Sequence, residues 1–178
     1  GKSLALQLAS QGVKVVLAAR RADRLEQVAE ECRQRGGEAL AVPMDVSDEA
    51  QCKSLVEQTI AKFGKLDMLI NNAGLAVSAL FDEFPDLHLF RHTMEVNFYG
   101  AVYCTYNALP HLKQSKGRIV VISSVGGKSA IPYNTPYCAS KYALHGFYDA
   151  LRMELYQKRV SVTLICPYWV VTEFHEAQ

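Results

Sequence analysis

Three side chains that could transfer or orient a proton lie in one short part of the sequence: Ser124, Tyr137 and Lys141. A free tyrosine titrates near ~10, too high to exchange protons readily at neutral pH, and a nearby ammonium group would lower that pKa. Tyr137 is therefore a candidate general acid for a carbonyl oxygen, or general base for an alcohol, and Ser124 could hold the same oxygen. A Tyr-x-x-x-Lys match alone is weak evidence, because a chain with nine tyrosines produces it readily by chance.

Local patterns place these residues at the end of a strand and on a helix. Residues 119–122 are a continuous β-branched run, which predicts a strand buried on both faces. Ser124 follows its carboxyl end, where open parallel α/β sheets carry their chemistry. From Tyr137 onward apolar residues recur with helical spacing, so Tyr137 and Lys141 are predicted to share one helix face.

Two further motifs accompany these residues: Asn71-Asn72-Ala73-Gly74, and Asn97 in a Met-Glu-Val-Asn sequence. Together, in this order and spacing, they resemble the classical short-chain dehydrogenase/reductase family over essentially the whole chain. The resemblance implies that Tyr137 is the acid/base and that Lys141 lowers its pKa and binds the nicotinamide ribose. It also implies that Ser124 positions the substrate oxygen and that Asn97 holds a water in the proton relay. An asparagine within a helix competes with the backbone for hydrogen bonds, so Asn97 is predicted to mark a local distortion of the helix; a tolerated polar residue is the alternative.

The predicted fold class is α/β, with residues 1–178 forming a single dinucleotide-binding domain. Strands alternate with helices throughout, which favours a Rossmann-like, doubly wound parallel sheet in three αβα layers. In the family, a central first strand and a glycine-rich turn come before the first helix, and only the last glycine of that turn, Gly1, is present. We therefore expect the sequence to be a fragment that lacks this strand and also the C-terminal substrate segment.

The end of the second family strand predicts the preferred dinucleotide. Residues 13–19 form that strand and lead into Arg20 and Arg21. An acidic residue there would bind the ribose 2′-hydroxyl group, whereas an arginine pairs with a 2′-phosphate. NADP(H) is therefore favoured over NAD, with Arg20 as the contact. A solvated helix start is the alternative, and it suits Arg21 better than Arg20.

By resemblance, the remaining cofactor contacts follow the ends of the strands. Asp45 and Val46 are expected beside the adenine, although this segment could instead cap a helix, a role that suits Ser47 or Asp48 better. Asn71 is assigned mainly to structure. The predicted cofactor-binding residues are Gly1, Arg20, Asp45, Val46, Asn72, Ala73, Gly74, Tyr137, Lys141, Pro167, Val170 and Thr172.

The substrate is predicted to be an apolar carbonyl compound or secondary alcohol, bound by Ser124, Tyr137 and Tyr168. Tyr168 departs from the family pattern, which usually has glycine after this proline, and it could narrow the site. Apolar contacts are suggested by Val125, Tyr133, Tyr168 and Trp169. Core packing is an equally open interpretation for aromatic residues.

Composition excludes several other classes of function. The net charge is +1 and the basic residues are scattered, so no nucleic-acid surface is indicated. Five cysteines without a Cys-x-x-Cys motif argue against a disulfide framework or zinc site and favour reduced thiols in the cytoplasm. His88 and His92 lack a third ligand, so no metal is predicted. A targeting signal or membrane anchor before residue 1 is left open.

Two functional hypotheses and an expected assembly follow. A homo-oligomer, dimer or tetramer, is implied by resemblance, with the helices around residues 86–109 and 137–156 at the interface. An NAD(P)-dependent oxidoreductase is favoured because all four catalytic residues of the family are present. The alternative is a non-catalytic dinucleotide-binding or scaffold protein with the same fold.

Overall fold

The computed structural model describes residues 1–168, and the chain divides into two compact units that meet in sequence between Lys65 and Leu66. The first unit alternates helices with two parallel strands. Its elements are α1 (Lys2–Ala9), β1 (Val15–Ala19), α2 (Ala22–Gln34), β2 (Ala39–Pro43) and α3 (Glu49–Phe63). The two strands pair in register, with Val15 opposite Ala39.

The second unit contains a three-stranded parallel sheet in the order β3-β4-β5. Its strands and α-helices are β3 (Met68–Asn71), α4 (His88–Met94), α5 (Gly100–Ser115), β4 (Arg118–Ile122), α6 (Thr135–Leu155) and β5 (Ser161–Ile165). A π-helical turn at Glu95–Tyr99 joins α4 to α5, and 3-10 turns lie at Phe81–Glu83, Val125–Gly127 and Tyr156–Lys158.

Each unit has an apolar core in which buried side chains of its helices and strands are found. In the first unit, Ala5 and Ala9 of α1 pack with Val28 and Cys32 of α2. In the second unit, Ile119 and Val121 of β4 are buried. Helix α6 buries one stripe of residues at helical spacing, because it packs against β5 and the 3-10 turn after β4: Leu144, Tyr148, Leu151 and Leu155.

The predicted α/β class with parallel strands is confirmed. The strands predicted at residues 13–19 and 119–122 are present within two residues of these limits, as β1 and β4. Asp48 caps α3 by accepting a hydrogen bond from Gln51 N at 3.0 Å.

In the described part of the chain, none of the helices combines the length and the apolar character needed to span a bilayer.

Candidate active site

Ser124 lies just beyond the carboxyl end of β4, where the chain enters the 3-10 turn Val125–Gly127. It is only 9% exposed, and its Oγ accepts a hydrogen bond from the main-chain N–H of Gly126 at 3.1 Å. The same side chain hydrogen-bonds to Tyr137. The end of the strand therefore holds a fixed hydroxyl group next to the tyrosine.

Helix α6 carries two further predicted catalytic side chains, Tyr137 and Lys141. Its first turn contains Pro136, which has no N–H group and therefore needs no acceptor there. Tyr137 and Lys141 lie one turn apart, and Lys141 Nζ is 5.6 Å from the centre of the Tyr137 ring. The structure thus brings Ser124, Tyr137 and Lys141 into one cluster.

Lys141 is a buried cation. It is 4% exposed, and its Nζ donates a hydrogen bond to the main-chain oxygen of Ile122, the last residue of β4, at 2.9 Å. Burial lowers the pKa of Lys141 to about 8, because an ammonium group is poorly solvated there, and Cys166 opposes the change. The side chain is therefore mostly charged at neutral pH and loses its charge above about pH 8.

The electrostatics of Tyr137 differ from the expectation based on sequence. Burial raises the pKa of Tyr137 above its usual value of 10, and the hydrogen bond with Ser124 opposes that increase. The net shift is therefore opposite to the lowering expected from Lys141, whose ammonium group donates to Ile122 O and lies 5.6 Å from the centre of the ring. Tyr137 consequently keeps its proton at neutral pH, which is the form that can donate to a carbonyl oxygen. The effect of Lys141 on this pKa stays a prediction.

Asn97 lies in the π-helical turn Glu95–Tyr99, so the local distortion predicted there is present. It is 1% exposed. Its Oδ1 accepts from Leu75 N at 2.8 Å, and its Nδ2 donates to Leu75 O and Ser140 Oγ, both at 2.9 Å. Ser140 Oγ in turn donates to the main-chain oxygen of Tyr137 at 2.7 Å. The amide therefore fixes the chain after β3 and the first turn of α6.

Asn71, the last residue of β3, has the structural role assigned to it. Its Nδ2 donates to the hydroxyl oxygen of Tyr148 at 2.9 Å and to Thr105 Oγ1 at 3.1 Å. Tyr148 OH also donates to Ala101 O at 3.0 Å. This buried network ties the end of β3 to α5 and α6.

Gly74 brings the turn after β3 close to the cluster. A Cβ atom at this position would lie 3.6 Å from Lys141 Nζ and 3.4 Å from Asn97 Oδ1. The missing side chain thus keeps space open beside the buried ammonium group. Asn72 and Ala73, in the same turn, are exposed.

Four predicted cofactor contacts belong to the first unit. Gly1 precedes α1, and Arg20 is exposed directly after β1. Asp45 and Val46 follow β2 and are half-buried. Asp45 Oδ1 accepts hydrogen bonds from Ser47 N at 3.0 Å and Ser47 Oγ at 2.7 Å. Arg20 and Asp45 therefore follow the carboxyl ends of paired strands, as the sequence predicts, and their contacts with a dinucleotide stay predictions.

The segment after β5 is described only in part. Pro167 O accepts a hydrogen bond from Val125 N at 3.2 Å. Tyr168 is 83% exposed, so its predicted contact with substrate stays a prediction. Val170 and Thr172, assigned to the cofactor, and Trp169, assigned to the apolar contacts, lie outside the described residues.

The loop before α6 carries the other predicted apolar contacts. Tyr133 has a left-handed backbone with φ of 65°, and its carbonyl oxygen accepts from Ala79 N at 2.9 Å. This bond links the loop to the segment after β3. The Tyr133 side chain is exposed and Val125 is half-buried, and their roles in binding substrate stay predictions.

A second buried polar cluster was not predicted. Ser123 Oγ lies 3.0 Å from His145 Nε2, and Cys166 Sγ lies 3.6 Å from the same nitrogen. The sequence did contain a signal, because His145 follows Lys141 by one helical turn on the same face. Within residues 1–168, no group of three or more His, Cys, Asp or Glu side chains is arranged to hold a metal ion.

Comparison with known sequences identifies relatives over the whole chain. A family model described as short chain dehydrogenase matches residues 1–178. The 11-beta-hydroxysteroid dehydrogenase-like 2 protein of Arabidopsis thaliana is 42% identical, and the aligned region covers 100% of this chain and 58% of the relative. An 11-beta-hydroxysteroid dehydrogenase of Pinus massoniana is 40% identical over 97% of this chain and 49% of its own. The chain thus spans about half the length of the curated relatives it matches.

Solved structures share the fold. An alcohol dehydrogenase from the archaeon Thermococcus sibiricus, complexed with 5-hydroxy-NADP, aligns with a TM-score of 0.90 at 29% identity, over 98% of this chain and 74% of its own. A 3-ketoacyl-ACP reductase from Sinorhizobium meliloti 1021 aligns with a TM-score of 0.89 at 36% identity, over 94% and 67% of the two chains. The Rossmann-like class predicted from sequence is therefore confirmed.

Proposed function

Since the chain belongs to the short-chain dehydrogenase family, we propose that the full-length protein is an oxidoreductase that reduces an apolar ketone or aldehyde with NADPH. The observation that carries this proposal is the cluster of Ser124, Tyr137 and Lys141, in which a protonated phenol lies between a fixed hydroxyl group and a buried cation. Such an arrangement suits proton donation to a carbonyl oxygen.

Each side chain of the cluster has a distinct part in this chemistry. Ser124 orients the carbonyl oxygen by a hydrogen bond, and Tyr137 donates its proton to that oxygen. The cation of Lys141 then stabilises the phenolate that remains, which is the form a nearby positive charge favours. When bound, NADPH would supply the hydride to the carbonyl carbon, and the sum of hydride and proton gives the alcohol.

Gly74 supports a dinucleotide site beside the cluster, because a side chain there would fill the space next to Lys141 Nζ. Lys141 would bind the nicotinamide ribose in that space. The residues that we propose to hold the rest of the cofactor are Gly1, Arg20, Asp45, Val46, Asn72, Ala73, Pro167, Val170 and Thr172.

Asn97 belongs to the proton relay in this proposal. Both donors of its amide group are already used by Leu75 and Ser140. A relay water would therefore receive no hydrogen bond from the amide N–H groups. It would instead donate a hydrogen bond to an oxygen of Asn97. The π-helical turn supports this assignment, since such turns break the regular pattern of main-chain acceptors.

The preference for NADPH over NADH is supported by the exposed guanidinium group of Arg20 directly after β1, which suits a 2′-phosphate. The solved Thermococcus sibiricus relative is described as complexed with 5-hydroxy-NADP. An apolar substrate is supported by relatives named for hydroxysteroids. We further propose a homo-oligomer in the cytoplasm, where the five cysteines stay reduced thiols.

The test is turnover by purified full-length protein, measured as NADPH oxidation against a panel of ketones and aldehydes that includes a steroid ketone. Parallel assays with NADH measure the cofactor preference. Tyr137→Phe should lower kcat by roughly 10²–10⁴-fold, because the proton donor is lost. Its Kd for NADPH, measured by fluorescence titration, should stay close to that of the wild type.

Tyr142→Phe is the matched control, since Tyr142 is an exposed tyrosine on the same helix and should retain full turnover. Normal turnover by Tyr137→Phe would contradict the mechanism. NADPH binding without reduction of any carbonyl compound would instead support the non-catalytic dinucleotide-binding alternative.

A further inference from the structure

His145 is a buried polar residue that the proposed reaction does not use. It is 8% exposed, and its Nε2 lies 3.0 Å from Ser123 Oγ and 3.6 Å from Cys166 Sγ. Ser123 directly follows β4 and Cys166 directly follows β5. One imidazole nitrogen on α6 therefore contacts the carboxyl ends of two neighbouring strands.

The contacted strand end is the one that builds the cluster. Ser123 lies between Ile122, whose oxygen accepts from Lys141 Nζ, and Ser124. Its main-chain N–H donates to Ile165 O at 2.8 Å, which joins it to β5. A displacement of Ser123 would therefore move both Ile122 O, the acceptor of the Lys141 hydrogen bond, and Ser124.

Gly127 shows how closely His145 packs against the turn after β4. A Cβ atom at Gly127 would lie 2.7 Å from His145 Cδ2 and 2.9 Å from Lys141 O. Both distances are too short for real contacts, so glycine is required here. The imidazole ring is thus confined by main chain on one side and by Ser123 on the other.

The charges around the ring favour its neutral form. Burial lowers the pKa of His145, Lys128 and Arg152 lower it further, and Asp149 opposes them. A neutral ring can hydrogen-bond to Ser123 without placing a second positive charge one turn from Lys141. The hydrogen bond is therefore available at the pH at which Lys141 carries its charge.

We propose that His145 is a positioning residue: through Ser123 it holds the end of β4 against α6, and this keeps Ser124 in place. The catalytic consequence rests on the proposed function, whereas the structural contact does not. His145 acts through the strand end and touches neither the substrate nor the reacting atoms.

The test compares H145Q with H145L in the full-length protein. The amide of H145Q reaches about as far as Nε2 and can bond to Ser123, whereas H145L fills the space without a polar atom.

Hydrogen exchange measured by mass spectrometry reports the opening of residues 119–127, and steady-state kinetics report kcat and KM. H145L should exchange there roughly tenfold faster, since a buried hydrogen bond is lost, and kcat should fall on the order of tenfold with a smaller change in KM. H145Q should resemble the wild type in both measurements.

Tyr148→Phe is the control for general destabilisation, because it removes buried hydrogen bonds that the same helix makes to Thr105 and Ala101 of α5 and none that it makes to Ser123. It should lower the thermal midpoint without faster exchange at residues 119–127 and without loss of kcat. The proposal is overturned if H145L matches the wild type, if H145Q is as impaired as H145L, or if Tyr148→Phe opens the same segment. If the wild type reduces no carbonyl compound, the proposed function fails, and hydrogen exchange alone decides the role of His145.

Discussion

Burial of the Lys141 ammonium group opposes folding at neutral pH. The pKa of about 8 in the folded protein lies below the ordinary 10.5, so the unfolded chain binds the proton more tightly. The difference corresponds to about 3 kcal/mol of destabilisation below pH 8, and it disappears as the pH rises through 10.5, where both states are neutral. The stability contributed at this position therefore increases with pH across that window.

Lys141→Met should consequently make the protein more stable and inactive. At pH 7 the free energy of unfolding should rise by about 1–2 kcal/mol, because the desolvation penalty is removed while Ile122 O loses its donor. The gain should shrink as the pH approaches 10.5, and turnover should be lost at every pH. Denaturant unfolding of the full-length wild type and variant at pH 7 and at alkaline pH measures the difference.

Lys113→Met serves as the comparison, since Lys113 is an exposed lysine in the last turn of α5. Its effect on the free energy of unfolding should be within about 0.5 kcal/mol. A Lys141→Met protein that is less stable than the wild type at pH 7 would show that burial of the charge is not the dominant effect.

At the level of single residues, the sequence predicted which side chains lie together but not their hydrogen-bond partners or the directions of their pKa shifts. Ser124, Tyr137 and Lys141 could be placed together because strand ends and helical spacing depend on local pattern. The acceptor for Lys141 is a main-chain oxygen of another element, and no side-chain pattern marks it. Burial of Tyr137 and the contact between His145 and Ser123 depend likewise on how α6 packs against the end of β4, so the raised pKa of Tyr137 and this contact were not predicted.

At the level of elements, the π-helical turn is stabilised by the side chain it contains. Asn97→Ala would remove the buried amide group that bonds to Leu75 N, Leu75 O and Ser140 Oγ. The expected loss of stability is about 2–4 kcal/mol, because three hydrogen bonds are lost at once. Thermal and denaturant unfolding measure this loss, and faster hydrogen exchange at Leu75 should accompany it.

Asn107→Ala provides a matched substitution in α5, where the Asn107 side chain donates only to Tyr103 O one turn earlier at 2.8 Å. It should cost less than about 1 kcal/mol. Equal losses for the two variants would mean that Asn97 is an ordinary helical residue rather than the link between the turn after β3 and α6.

The elements themselves were largely predictable, and the reason is physical. Runs of β-branched residues and helical spacing are local properties, so β4 and α6 were located within two residues. A distortion at Asn97 was expected because an asparagine competes for main-chain hydrogen bonds. Its partners Leu75 and Ser140 were not predicted, since they come from distant parts of the chain.

At the level of the whole molecule, the second unit exposes large apolar side chains on the helices expected to form a subunit interface. Tyr106 of α5 is 74% exposed, and Met153 of α6 is 78% exposed. Side chains of this kind are enriched where proteins associate. Met153→Glu should therefore shift the full-length protein to a smaller oligomer, because a carboxylate is costly to bury at an interface. Light scattering coupled to gel filtration measures the mass.

Val13→Lys is a suitable control, since Val13 is an exposed apolar residue of the first unit and should not alter the oligomeric state. An unchanged mass for Met153→Glu would place the interface elsewhere. The sequence predicted such an assembly only through its resemblance to a family, because exposure of these side chains depends on how the helices pack.

The hydrogen bond from Lys141 Nζ to Ile122 O has one more consequence. Ile122 ends β4 and Ser124 follows two residues later, whereas Tyr137 and Lys141 both lie on α6, so this bond holds the two halves of the cluster together. We therefore expect that a molecule in which α6 has separated from β4 no longer has Ser124 beside Tyr137. On the proposed function, the activity of a sample would then be proportional to its fraction of correctly folded protein.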